Sequence, residues 1–189
     1  MGIEIKNIKK SFEDKIVLDG ISAKFPNRGI VALSGDSGSG KTTLIRIIAG
    51  LETADSGEIK GLDGLKVSYV FQEDRLLPQL TVLENVSVVG DEKTAREWLD
   101  KMELSNELDK KPFQLSGGMK RRVALARALT FDGDILMLDE PFKGLELRLK
   151  EKIIDIIKTI SDNRLVILVT HELSETQVAN RIIRIDKKA

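Results

Sequence analysis

The sequence predicts an α/β fold: a mostly parallel sheet flanked by helices, an antiparallel β-layer near the N-terminus, and a small helical lobe inserted into the core. Three observations predict it. Short apolar runs of strand length alternate with longer segments of helical spacing, the pattern of parallel strands joined by crossover helices. One run passes directly into a glycine-rich loop and then into a helical pattern. Between residues 73 and 117 the pattern changes to helix-biased segments interrupted by Pro78 and Pro112, with no buried-strand run.

The elements follow in order. Ile3, Ile5 and Ile8, then Ile16, Val17, Leu18, Ile21, Ala23 and Phe25, alternate with polar residues and predict antiparallel strands over 2–8 and 15–25. Gly29-Ile30-Val31-Ala32-Leu33-Ser34 predicts a buried strand, and 42–49 resumes with helical spacing. Buried strands are further predicted at 67–71, 135–138, 165–169 and 182–185, with helices over 116–130 and 146–160. Leu149, Ile153, Ile156, Ile157 and Ile160 give the second helix an apolar face.

With 189 residues, 41% hydrophobic and 32% charged, the chain suits one well-buried domain over 1–189, its α/β core in 1–72 and 118–189 and its lobe in 73–117. Basic and acidic residues number 30 each, so there is no global positive field and nucleic acid is not an expected partner. The absence of cysteine removes disulfides, thiolate metal sites and thiol nucleophiles, and fits a cytoplasmic setting. Met1-Gly2-Ile3-Glu4-Ile5-Lys6 lacks a signal core, and runs such as Ile135-Leu136-Met137-Leu138 are too short to span a bilayer. A membrane role is therefore expected to run through a partner.

Gly35-Asp36-Ser37-Gly38-Ser39-Gly40-Lys41-Thr42 satisfies G-x-x-x-x-G-K-[ST] between a strand and a helix, which marks a phosphate loop extending to Thr43 and a P-loop NTPase core. Glycines let backbone N–H groups converge on phosphate oxygens, and the positive end of the following helix favours the same anion. Lys41 is expected to reach the β- and γ-phosphates and the Thr42 hydroxyl to ligate Mg²⁺. A guanine-reading Asn-Lys-x-Asp run is missing, which favours ATP over GTP.

Asp139 and Glu140 follow the apolar run 135–138, at the carboxyl end of a strand where parallel sheets carry ligands. Alone, the pair would read as a solvated acidic turn. Beside a phosphate loop, Asp139 is the expected Mg²⁺ ligand and Glu140 the general base that polarises water. Ser116, Gly117 and Gly118 open another helix and form a second anion-binding terminus. The Lys120-Arg121-Arg122 run after them, taken alone, reads as a solvated face.

Leu115-Ser116-Gly117-Gly118-Met119 resembles the LSGGQ signature of the ATP-binding subunits of ABC transporters, with Met119 in place of Gln. The resemblance covers nearly the whole chain, because five motifs fall in family order: the phosphate loop, Gln72 within Val70-Phe71-Gln72-Glu73, the signature, Asp139-Glu140, and His171 within Val169-Thr170-His171-Glu172. It implies a RecA-like core, a Gln72 that senses Mg²⁺ and the attacking water, a His171 that contacts the γ-phosphate, and a Phe12 that stacks on adenine. An apolar core position is the other account of Phe12, since phenylalanine needs no ligand to be buried. Glu146 stands where the family usually has Asp.

The resemblance further implies a head-to-tail homodimer with each ATP between the phosphate loop of one copy and Ser116-Gly117-Gly118 of the other. Separate transmembrane permease subunits would dock near Gln72 to Leu80, with Arg75, Leu76, Leu77 and Pro78 in contact, on the inner face of the cell membrane. The run FQEDRLLPQLTVLENV is similar to importers of small oxyanions such as nitrate, sulfonates and taurine. The sequence ends soon after 182–185 where many relatives continue, so regulatory extensions are not expected. Two rival readings are a soluble ABC-type ATPase acting on nucleic-acid or protein complexes, and a non-catalytic module that uses ATP only to dimerise. No coiled-coil or zinc insertion supports the first, and intact Gln72, Glu140 and His171 oppose the second.

Overall fold

The computed structural model describes residues 2–186, so the outer bounds 1 and 189 expected for the domain lie outside the described residues. Two sheets form. β1 (Ile3–Phe12), β2 (Lys15–Phe25) and β4 (Ser56–Lys60) make an antiparallel layer in the order β2-β1-β4. β3 (Gly29–Ser34), β5 (Val67–Val70), β6 (Ile135–Asp139), β7 (Leu165–Val169) and β8 (Arg181–Arg184) make a parallel sheet in the order β5-β6-β7-β3-β8.

Every residue of β6 and β7 is buried, as parallel strands covered on both faces require. Successive side chains then serve opposite cores. Leu136, Leu138, Val166 and Leu168 pack beneath α4 (Gly117–Phe131) and α5 (Leu147–Ser161). Ile135, Met137, Leu165, Ile167 and Val169 face α1 (Lys41–Ile48) and the antiparallel layer.

Residues 73–117 carry α2 (Val82–Ser87), α3 (Glu92–Lys101) and a 3₁₀ turn at Pro112–Gln114, without a strand. Val82, Val86, Ala95, Leu99, Met102 and Leu104 join the same apolar cluster as α4 and the sheet, so these helices rest on α4 instead of enclosing a separate core. Polar groups shape the approach to them. Thr81 and Glu84 form a reciprocal capping box at the start of α2. The fully buried Asn85 amide accepts from Leu77 N and donates to the carbonyls of Leu77, Leu80 and Thr81, which fixes the 77–81 turn.

Two expectations need correction. β8 was expected to be a buried strand, yet Ile182 is 52% exposed and the strand lies at the sheet edge, where β3 pairs with one side of it and no strand among the described residues pairs with the other. β4 was not anticipated. Its sequence is Ser-Gly-Glu-Ile-Lys and only Ile59 is even partly buried, so it is held by main-chain pairing to β1 and leaves no hydrophobic alternation to read.

Candidate functional site

The carboxyl ends of β3, β6 and β7 open onto a cavity of about 860 Å³. Phe12, Lys15 and Val17 from the antiparallel layer form one wall; Gly35 to Gly38 and Gly40 to Thr43 form the floor; Gln72, Glu140, Lys143 and His171 form the other wall. The loop geometry depends on glycine at two points. Gly35 has φ +146, and a Cβ there would sit 2.1 Å from the Ile185 carbonyl oxygen; Gly40 has φ +93, and a Cβ there would sit 2.6 Å from the Leu18 side chain. The loop can therefore pack against Ile185 and Leu18 in this conformation only because these positions lack side chains.

Lys41 begins α1 and is 6% exposed. Its ammonium donates to the Gly35 and Asp36 carbonyls at 2.7 and 2.8 Å, which uses two of three donors and holds the charge across the loop. Burial lowers the Lys41 pKa, while Glu140, Asp139 and Asp36 oppose that shift. Ser39 lies beneath the loop at 2% exposure, its hydroxyl without a partner.

Thr42 Oγ1 donates to Asp139 Oδ1 at 3.1 Å, joining the phosphate loop to the end of β6. Asp139 is fully buried and its Oδ2 has no hydrogen-bond partner among the described residues. Burial pushes its carboxyl pKa up, with the Thr42 hydroxyl pulling the other way. A buried carboxylate with an unshared oxygen, beside a hydroxyl and a phosphate loop, fits a hard divalent cation such as Mg²⁺. No group of three His, Cys, Asp or Glu suited to a metal occurs among the described residues.

Glu140 and His171, 31 residues apart in sequence, meet at 2.7 Å between His171 Nδ1 and Glu140 Oε1. The hydrogen bond to Glu140 and its charge raise the His171 pKa above the ordinary 6.5. Thr170, fully buried beside His171, donates to Glu175 and accepts from Glu172 N at 3.0 Å. Lys150 of α5 reaches Glu175 at 2.5 Å and Glu172 at 3.0 Å. The histidine loop is thus pinned to the helix that follows the 141–146 segment.

Phe12 is 45% exposed and lines the cavity, so it is not a core residue. Lys10 braces the ring at 5.0 Å from its centroid and is itself held by Thr53 O and Glu52, both at 2.8 Å. Ser116, Gly117 and Gly118 do not line the cavity. Ser116 caps α4, its hydroxyl accepting from Met119 N at 3.3 Å, and a Cβ on Gly117 would meet nothing within 4 Å. Lys15, Lys143 and Arg184 also line the cavity and were not singled out from the sequence, since isolated basic residues in loops and edge strands carry no spacing signal.

A family model described as ABC transporter matches residues 18–143. The sulfate/thiosulfate import ATP-binding protein CysA of Bradyrhizobium diazoefficiens is 40% identical, over 99% of this chain and 62% of that protein. The chain thus spans about three-fifths of the length of such curated relatives. A dimeric structure of MJ0796, a bacterial ABC transporter cassette, superposes with TM-score 0.91 and 31% identity, covering 98% of this chain and 94% of that one. A dimeric post-hydrolysis state of the MJ0796 cassette bound to ADP and Pi superposes with TM-score 0.89 and 31% identity, covering 99% and 97%. Two-thirds of the chain match the family model, and a relative 40% identical extends the likeness over 99% of it; the chain belongs to the ABC transporter family, as an ATP-binding domain.

Proposed function

We propose that this chain binds Mg-ATP in the cavity above β3, β6 and β7, hydrolyses it, and uses the cycle to drive a small oxyanion through separate transmembrane subunits. One observation carries the hydrolytic reading: Glu140 and His171 meet on the wall of the cavity that the phosphate loop floors. Phe12 holds the adenine against its Lys10-braced ring. Lys41, the loop amides and the N-terminus of α1 hold the β- and γ-phosphates. Thr42, Asp139 and Gln72 would hold Mg²⁺, which when bound would supply charge neutralisation to the phosphate oxygens. Glu140 takes a proton from water attacking the terminal phosphorus, and the bond to the β–γ bridging oxygen breaks to leave ADP. His171, kept protonated more readily by Glu140, donates to the terminal phosphate.

The outward-facing Ser116-Gly117-Gly118 terminus is the reason to place a second copy head to tail over the first. A Cβ on Gly117 would meet no described atom within 4 Å, which leaves that side of the terminus open to a partner. Residues 73–117 act as the lobe that carries this terminus. No described helix is long and apolar enough to cross a membrane. Permease subunits would dock around Arg75, Leu76, Leu77 and Pro78, at the inner membrane face. Relatives named for sulfate and thiosulfate import agree with an oxyanion cargo.

Glu140→Gln tests this directly. With saturating Mg-ATP it should lose turnover by about 10²–10⁴-fold while binding ATP and moving to dimer size on gel filtration. A variant that binds ATP and stays monomeric would defeat the head-to-tail arrangement; one that hydrolyses normally would defeat the assignment of the base.

A further inference from the structure

Arg121 is 4% exposed in the second turn of α4, although removing a guanidinium from water is costly without well-placed partners. All its partners belong to the segment that leaves β5. Nη1 donates to Phe71 O at 2.6 Å, Nη2 donates to Gln72 O, and Nε lies 3.2 Å from Asp74 Oδ1. Arg127, further along the same helix, donates to the carbonyls of Asp74 and Arg75 at 3.2 and 3.0 Å. The backbone of Gln72, a residue that lines the nucleotide cavity two positions beyond the end of β5, is therefore held to α4. That helix begins at Ser116.

We propose that Arg121 is the positioning residue for Gln72: its fork fixes the 71–74 backbone against α4, so that Gln72 enters the Mg²⁺ end of the cavity in step with the Ser116 terminus. The geometry asks for arginine. Two successive carbonyls need a planar fork with two directed donors, and the carboxylate beside them needs a positive charge; an ammonium supplies the charge without the fork, and an amide supplies neither in full. Asp74 completes the pocket: burial pushes its carboxyl pKa up, and the Arg121 charge beside it pulls the other way.

This inference rests on the ATPase reading of the cavity, and the test separates the two. Arg121→Gln, Arg121→Lys and Asp74→Asn would be made in the full chain, with Gln72→Ala and the Gln72→Ala/Arg121→Gln double variant. Turnover, the Mg²⁺ concentration giving half-maximal rate, ATP affinity in EDTA and thermal midpoint would be measured for each. Arg121→Gln should lower kcat by about 10- to 100-fold and raise the half-saturating Mg²⁺ severalfold, with metal-free ATP affinity unchanged. Arg121→Lys should recover part of the loss. In the Gln72→Ala background Arg121→Gln should cost nothing further in kcat, because the group it positions is gone. Equal fold losses in both backgrounds, or an unchanged Mg²⁺ requirement, would overturn the proposal. If Arg121→Gln fails to fold, Asp74→Asn carries the same cycle with Gln72→Ala. A wild-type chain that binds no ATP would instead remove the ATPase reading itself, and this inference with it.

Discussion

Two helix N-termini in this chain start from serine- and glycine-rich turns, and they end in opposite surroundings. At the start of α1, Gly35 and Gly40 are pressed against Ile185 and Leu18, Lys41 is almost fully buried, and Thr42 is tied to Asp139. At the start of α4, Ser116 and Gly117 are exposed, and space beyond Gly117 is open. The same backbone device, converging N–H groups and a positive helix end, is present at both. What differs is the walls. Carboxylate, ammonium and sheet surround the first, so a phosphate bound there would exchange water for fixed partners within one chain. The second supplies direction and field but no enclosure, which a second copy would have to bring.

The sharpest way to break this contrast is Lys41→Ala. Removing the ammonium that spans the first loop should weaken ATP binding by on the order of 100-fold in the single chain, measured by calorimetry. Unchanged affinity would mean that the walls around α1 matter no more than those around α4. Next comes a pair of glycine substitutions. Gly35→Ala meets the Ile185 carbonyl at 2.1 Å with φ +146 and should destabilise the fold by about 2–3 kcal/mol. Gly117→Ala should leave the stability within about 0.5 kcal/mol of wild type and still impair ATP-driven dimer formation. Similar melting losses for both would erase the distinction.

A smaller effect concerns Lys143, which lines the cavity beside Glu140. A cation at the terminal-phosphate end should contribute to ATP and not to ADP. Lys143→Ala is therefore expected to weaken ATP binding about three- to tenfold with ADP affinity unchanged; an equal loss for both nucleotides would assign Lys143 elsewhere. The smallest effect is read by proton NMR. His171 is the one histidine of the sequence, and its resonance should titrate above 6.5 in the wild type and fall back toward 6.5 in Glu140→Gln. Because the folded pKa is raised, the contact's stabilisation is fully present below the unfolded value and is lost as pH rises through the folded one. A wild-type titration at or below 6.5 would contradict the Glu140 contact.

Much of the site was legible because its parts are local in sequence. The loop 35–43 is a contiguous pattern set between a strand and a helix, and Asp139-Glu140 follows an apolar run directly; each is fixed by neighbours along the chain. Other features carried no such trace. Arg121 sits in a basic run that reads as a solvated face, yet it is buried, because the 71–74 backbone wraps over it. Arg122 likewise reaches Met102 O at 2.6 Å. Phe12 could be core or stacking ring from its residue type, and only the curl of the antiparallel layer around the cavity leaves it exposed.

By itself, then, the sequence determined the alternation of strands and helices, the phosphate loop and the order of the motifs, since hydrophobic period and glycine placement act over a few residues. Tertiary structure alone decided that Glu140 meets His171, that β8 is an exposed edge, that β4 exists, and that α4 grips the Gln72 backbone. Those outcomes depend on which strands lie side by side and which groups lose their water. Parallel pairing brings residues 31 positions apart into contact, and no local pattern encodes that distance.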